Sequence, residues 1–267
     1  MRARVVSNSC LKGSCYKLIL KAPFDVKVLP GQFLMIRPGG SPGSSDPLLP
    51  RPFSVHRINP DGNIEVLYKV VGKGTSLLAQ TEEGEEIGIL GPLGNGFTID
   101  SGDTSGEILI VAGGIGVAPM LGLAETLKAT CPGKTSRVFL GGRGEADILC
   151  IEELKAVSTE VILATNDGSV GFKGYVTEAL EKYLSHSFRT PHSALRTTLY
   201  ACGPTPMLQR ILEITEPLNI ETYFSLEANM ACGIGICMGC AVKRSDGGYF
   251  LVCKDGPVFR GEDLKLN

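Results

Sequence analysis

The first hundred residues are organised as short β-prone runs. Residues 16–20, 32–36, 64–71 and 86–90 carry apolar and β-branched side chains. Gly, Pro and Asn interrupt them, as at Leu29-Pro30-Gly31 and Asn59-Pro60-Asp61-Gly62. Short strands at this spacing predict an antiparallel β domain, a barrel or a sandwich. Residues 38–50, rich in Gly, Pro and Ser, predict a surface loop. Gly91-Pro92-Leu93-Gly94 closes the segment. Beyond it the pattern changes. Residues 108–112 form a continuous apolar run, as in a strand buried on both faces. Helical spacing follows over 117–129, and again over 146–157, 175–184 and 206–214. Strand-like runs lie between, at 138–140, 161–164 and 198–201, with a last one at 222–226. Alternating strand and helix predicts a doubly wound parallel sheet. The expected division is 1–100 for the β domain, 101–226 for the α/β domain and 227–267 for a small cysteine-rich lobe.

Composition narrows the class. The chain has 267 residues, 43% hydrophobic, with a formal net charge of −2, so it can bury real cores. No excess of Lys or Arg argues for nucleic acid or an anionic membrane. No stretch approaches the ~18 consecutive apolar residues of a membrane span, and no signal core follows Met1. A soluble cytoplasmic protein is expected.

Cysteine placement changes the picture most. Five of the nine are scattered, at Cys10, Cys15, Cys131, Cys150 and Cys202, and four crowd together as Cys232, Cys237, Cys240 and Cys253. A disulfide framework would not bunch its cysteines in this way. The spacing C-x4-C-x2-C…C is that of a plant-type 2Fe–2S site. Residues 241–244 and 249–252 predict a hairpin, turned by Ser245-Asp246-Gly247-Gly248, that would return Cys253 beside Cys240. The competing reading is a structural zinc site, but zinc favours two paired C-x2-C knuckles and the first gap here is four residues.

Other motifs are individually weaker. Arg51-Pro52-Phe53-Ser54 ends a β-rich segment and offers a cation for a pyrophosphate, a flat apolar ring for an isoalloxazine and a hydroxyl, Ser54, near flavin N5. Gly72-Lys73-Gly74-Thr75 precedes a predicted helix at 76–80, where amides and the Thr75 hydroxyl can meet phosphate. An ordinary strand start and an ordinary turn would look the same. After the first buried strand, Gly114 and Gly116 match the opening of G-x-G-x-x-G, but Pro119 stands at the third glycine. This is a tight strand-to-helix turn, for a nicotinamide dinucleotide or for packing alone. Cys202-Gly203-Pro204 follows another strand; Cys202 can face a nicotinamide or be a small buried hydrophobe, and Gly203 admits a ligand to the backbone. Asp167-Gly168 and Arg143-Gly144 also follow strands, where open sheets bind ligands. His56, His186 and His192 are isolated, and no Ser-His-Asp arrangement appears.

In this order the motifs resemble the ferredoxin–NADP reductase superfamily over residues 1–226. Its flavin motif usually has Tyr where this chain has Phe53, which keeps stacking and loses a phenol hydrogen bond. With the cysteine tail, the whole chain resembles the electron-transfer subunits of class 1B dihydroorotate dehydrogenases. The stretches that carry this are Ser225-Leu226-Glu227, Met230-Ala231-Cys232-Gly233-Ile234-Gly235, Asn166-Asp167-Gly168-Ser169 and Val252-Cys253-Lys254-Asp255-Gly256-Pro257. The resemblance implies an N-terminal β-barrel FAD domain, an NAD domain and a 2Fe–2S lobe. It implies FAD contacts from Arg51, Pro52, Phe53, Ser54, Tyr68, Lys69, Val70, Gly74 and Thr75, and cluster ligation by Cys232, Cys237, Cys240 and Cys253. NAD would be an exchangeable substrate near Gly114, Gly116, Cys202 and Gly203. It further implies a catalytic partner subunit carrying FMN, in a heterotetramer of two of each. Nicotinamide exchanges hydride and the cluster single electrons, so a flavin must stand between them. The rivals are the small subunit of a ferredoxin:NADP oxidoreductase or sulfide dehydrogenase, whose cluster loops tend to replace one cysteine with Asp, and a zinc-stapled binding module without enzymatic activity.

Overall fold

The computed structural model describes residues 1–22, 27–39, 46–99, 106–187 and 197–266. Residues 40–45 of the expected surface loop, the expected boundary at 100/101 and His192 lie outside them.

Six antiparallel strands close into a barrel in the order β1-β2-β5-β4-β3-β6. They are β1 (Arg2–Lys12), β2 (Cys15–Lys21), β3 (Phe33–Arg37), β4 (Arg51–Ile58), β5 (Ile64–Lys69) and β6 (Glu86–Leu93). Alternation puts Ala3, Val5, Leu18, Leu20, Leu34, Ile36, Val55 and Val66 inside. Strand β1 was not expected. Its sequence is polar, and only Ala3 and Val5 turn inward while Arg2 and Arg4 face solvent. The segment Arg51–Ser54 opens a strand rather than ending one. A short helix, α1 (Lys73–Leu78), follows β5.

The second unit is a sheet in the order β10-β9-β8-β7-β11-β12-β15. Its parallel strands are β7 (Glu107–Gly113), β8 (Thr135–Gly142), β9 (Glu160–Thr165), β10 (Phe172–Lys173), β11 (Thr197–Cys202) and β12 (Glu221–Ser225). Both faces of β7 are apolar, which explains its unbroken hydrophobic run. Ile108, Ile110 and Ala112 pack with helices α2 (Met120–Thr130) and α3 (Ile151–Val157). Leu109 and Val111 pack on the other face with α4 (Val176–Ser187) and the helix Thr205–Thr215. The sheet is therefore doubly wound. Its order reverses between β7 and β11, whose chains leave toward opposite faces. The helix expected from residue 146 starts at Ile151; a single 3-10 turn at Glu145–Asp147 and an extended stretch precede it.

The cysteine tail carries the predicted hairpin, β13 (Ala241–Lys243) with β14 (Tyr249–Leu251). It then returns to the sheet, where β15 (Val258–Arg260) pairs antiparallel with β12. The lobe is also sewn to the barrel. The Asn95 backbone N donates to Gly256 O at 2.6 Å, and its Nδ2 donates to Asp255 O at 2.9 Å. The cysteine loop thus sits against both larger units.

Candidate functional site

Three features meet along the seam between barrel and sheet: a slot in the barrel wall, a cleft at the reversal of strand order, and the cysteine loop.

The slot exists because β4 and β5 pair only over Val55–Ile58 and Ile64–Val66. Beyond Val55 the edge of Arg51–Ser54 that faces β5 has no ladder partner there, while its other edge pairs with β3. Arg51, Pro52 and Ser54 are half-buried along this edge. The Arg51 guanidinium lies over Gly74, where a Cβ would come within 3.1 Å of Nε. The absent side chain at Gly74 lets the cation and the α1 backbone approach closely. The Thr75 hydroxyl organises that turn from within, accepting from the Val71 and Gly72 amides at 2.9 and 3.1 Å and donating to Gly72 O. A cation, open backbone edges and a glycine cradle fit the pyrophosphate and ring of a flavin dinucleotide.

Four of the expected flavin contacts have partners within the protein. Phe53 points into the barrel core, edge-on to Tyr68 at 5.7 Å, with only 9% of its surface exposed. Tyr68 is buried, stacked on Tyr16, and donates to Asn8 Oδ1 at 3.0 Å. Burial pushes its phenol up to about 12. Val70 uses its amide on Ser14 O. Lys69 turns to the sheet unit, pairing with Asp147 at 2.7 Å, and this bond holds the Asp147 carboxyl below its ordinary range.

The cleft has a volume of about 730 Å³ and lies at the carboxyl ends of β7, β8 and β11, where open α/β sheets bind ligands. Its walls include Gly114, Ile115, Arg143, Asn166, Gly203 and Glu227. Gly114 and Gly203 both line it. Gly116 serves packing, since a Cβ there would fall 2.2 Å from Cys202 O. Cys202 itself is buried beneath the cleft floor, 1% exposed, and burial raises its thiol far above the ordinary value. Asp167 supports the rim, accepting from the Ser169 amide at 2.9 Å and hydroxyl at 2.6 Å. Sequence reasoning did not single out Glu227 as a site residue. Its carboxyl meets solvent at the cleft mouth but is surrounded by protein, and this burial raises its pKa. The signal was its position just past a strand end, on the chain leading to the first clustered cysteine.

The hairpin brings Cys253 beside Cys240, with sulfurs 3.3 Å apart. Each of the four sulfurs accepts a backbone N–H. Cys237 N donates to Cys232 Sγ (3.5 Å), Gly239 N to Cys237 Sγ (3.5 Å), Cys253 N to Cys240 Sγ (3.4 Å) and Gly235 N to Cys253 Sγ (3.1 Å). These amides favour thiolates. They lower Cys232 to about 6, whereas burial and then neighbouring Cys240 raise Cys253. Among the described residues no three metal-ligating side chains gather round one centre. Cys240 and Cys253 form a buried pair, Cys232 is half-buried and Cys237 exposed, and their C-x4-C-x2-C…C spacing is that of a two-iron site rather than of paired zinc knuckles. The loop rests on the barrel through Gly233 (φ +73°), where a Cβ would lie 2.5 Å from Met35 Cγ. Met35 is the register partner of Pro52. The cysteine loop therefore rests on β3, the neighbour of the strand that borders the slot.

Compared with known proteins, residues 227–265 match the iron–sulfur cluster binding domain of dihydroorotate dehydrogenase B, and residues 110–213 match the oxidoreductase NAD-binding domain. The dihydroorotate dehydrogenase B (NAD(+)) electron transfer subunit of Clostridium acetobutylicum is 38% identical over 99% of this chain and 96% of its own length. The same subunit of Caldanaerobacter subterraneus is 38% identical, over 99% of this chain and 98% of its own. The chain belongs to this family of electron transfer subunits. Among solved structures, a chain of an NADH-dependent reduced ferredoxin-NADP oxidoreductase superposes with a TM-score of 0.83 at 29% identity, covering 99% of this chain and 90% of that one. A ferredoxin NADP+ reductase from Neisseria gonorrhoeae, at 17% identity, TM-score 0.67 and coverage of 82% and 91%, shares the fold. The family's iron–sulfur match begins at Glu227, which lines the cleft, so one short segment spans the cleft and the cysteine loop. No helix among the described residues is long and apolar enough to cross a membrane.

Proposed function

We propose that this chain is the electron-transfer subunit of a dihydroorotate dehydrogenase that reduces NAD+. The overall reaction is dihydroorotate + NAD+ → orotate + NADH + H+, with dihydroorotate oxidised on a partner subunit that carries FMN. FAD supplies the junction chemistry when bound, because it exchanges both hydride and single electrons. The chain's own residues do the rest. Arg51, over Gly74, would hold the pyrophosphate, with half-buried Ser54 close by on β4. The nicotinamide would lie in the cleft lined by Gly114, Ile115, Gly203 and Glu227. Cys232, Cys237, Cys240 and Cys253 hold the two irons, and their amide donors lower the cost of thiolate charge.

The observation that carries this reading is the placement of the cysteine loop. It packs on β3, the neighbour of the strand that borders the flavin slot, and its outer rim is apolar and open: Ile234, Ile236 and Met238 are 47%, 75% and 62% exposed. Exposed apolar side chains ringing a redox centre mark a docking face. A partner seated there receives or delivers electrons over the shortest path. Two of each subunit, in a heterotetramer, is the proposed assembly.

Co-expression with the FMN subunit tests the proposal. The complex should reduce NAD+ with dihydroorotate, the isolated chain should reduce dyes with NADH alone, and sizing should give two of each subunit. Electron delivery from reduced ferredoxin, with none from dihydroorotate, would transfer the chain to the ferredoxin-linked branch that its 29%-identical structural neighbour represents.

A further inference from the structure

The flavin strand carries a histidine that none of the cofactor chemistry above uses. His56 lies two residues beyond Ser54 and is 2% exposed. The β4–β5 register shifts between Val55 and Arg57. Ordinary strand alternation points Val55 into the barrel core and His56, its immediate neighbour, out against the sheet unit.

Its ring joins two cleft loops. Nδ1 is 2.6 Å from Ala118 O. A carbonyl only accepts, so Nδ1 carries the proton and donates it. Ala118 directly follows the 3-10 turn Gly114–Val117, whose Gly114 and Ile115 line the cleft. Nε2 is then left with its lone pair, 3.8 Å from Cys150 Sγ. Burial pushes the Cys150 thiol up to about 12, so it stays protonated and is the donor of that contact. Burial also lowers the His56 pKa, which keeps the ring neutral and this tautomer in place. Cys150 ends the loop containing Gly142, Arg143 and Asp147, which form another wall of the cleft. It is held at φ +60°, a conformation that residues other than glycine seldom adopt. Such outliers persist where the surroundings fix them; here Cys150 caps α3, its carbonyl accepting from Leu154 N at 3.0 Å, and its side chain meets the His56 ring.

The backbone adds a third tie. A Cβ on Gly122 would fall 2.7 Å from His56 O, so α2 rests directly on β4. Next door, Arg57 pairs with Glu65 of the barrel at 3.0 Å and Glu125 of α2 at 3.1 Å.

We propose that His56 is a positioning residue for hydride transfer, fixing from the flavin strand both loops that set where the nicotinamide lies. The proposal rests on the FAD–NAD reading above. It assigns His56 no contact with either ligand.

The test uses the full chain with FAD and cluster bound. His56→Leu removes both ring contacts, and His56→Asn retains a donor for Ala118 O. Stopped-flow reduction by NADH and by 4-deuterated NADH gives the rate constant and its isotope effect. The long-wavelength charge-transfer absorbance reports nicotinamide stacked on flavin. His56→Leu should slow flavin reduction roughly 10- to 100-fold, in line with the loss expected from an ångström of misplacement. It should also weaken the charge-transfer band and leave FAD and iron content unchanged, and His56→Asn should recover most of the rate. A wild-type rate and band in His56→Leu overturns the proposal. So does a loss that tracks FAD content alone, since a purely structural role does that. If His56→Leu does not fold, Cys150→Ala against Cys150→Ser decides: a slower alanine variant with a normal serine variant supports the role, and two normal variants overturn it. If the wild-type chain is not reduced by NADH at all, the FAD–NAD reading itself fails.

Discussion

Substituting Gly233 by alanine should empty the cysteine loop of iron. Two costs add at this position. Its φ of +73° is in the left-handed region, where a Cβ costs about 1–2 kcal/mol. That Cβ would also lie 2.5 Å from Met35 Cγ, 3.0 Å from its Sδ and 3.2 Å from Leu93 Cδ1. Met35 is buried on β3 and cannot swing into solvent, so the overlap costs about 1–3 kcal/mol more. Gly247, in the hairpin turn, separates the two contributions. Its φ is +95°, yet a Cβ there would have nothing within 4 Å. Gly247→Ala should therefore meet only the backbone cost. A loop displaced by about 2–5 kcal/mol of strain loses most of its affinity for the cluster, since each 1.4 kcal/mol is tenfold. The assay is iron and acid-labile sulfide per chain, with the reduced-cluster EPR signal, on both variants purified anaerobically. Gly233→Ala should lose most of its cluster and keep FAD, and Gly247→Ala should keep both. A Gly233→Ala protein with full iron and an unchanged EPR signal would refute the idea that the loop is seated on Met35.

Cys237→Ser should leave FAD reduction by NADH largely intact while abolishing electron transfer with the partner, which separate dye-reduction and dihydroorotate assays measure. Arg51→Ala should weaken FAD binding roughly 10- to 100-fold, the worth of a charge-assisted contact, in a fluorescence titration of the apoprotein; unchanged affinity would remove Arg51 from the pyrophosphate. Burial, outweighing the Ala118 carbonyl and Glu65, lowers the His56 pKa below its ordinary 6.5. The unfolded chain then binds that proton first, so stability should fall as pH drops below about 6.5. Thermal melts of wild type against His56→Asn should show the variant with the shallower acid slope.

Much of this was legible in the residues because it rests on short-range rules. The run at 108–112 announced a strand covered on both faces, and the Cys232–Cys253 spacing with its Ser-Asp-Gly-Gly turn announced the hairpin and the sulfur pair. What escaped depends on long-range packing. Strand β1 is polar because barrel closure asks it to bury only alternate small residues. Phe53 has the right chemistry for a flavin face, but the pleat of β4 sends it inward to Tyr68. Cys202 follows the right strand, yet Gly116 packs onto its carbonyl and its thiol lies beneath the cleft floor. Lys69 is claimed by Asp147, nearly eighty residues away. Strand β15 is three residues long and joins the parallel sheet in the opposite sense, a pairing no local pattern encodes. His56 looked isolated in sequence because its partners, Ala118 and Cys150, belong to the other unit.

Whether four cysteines at the carboxyl end hold a two-iron cluster next to a flavin is tested most directly by the cofactor content of anaerobically purified protein. About two irons, two acid-labile sulfides and one FAD per chain are predicted. A colourless protein with one zinc and neither sulfide nor flavin would contradict it.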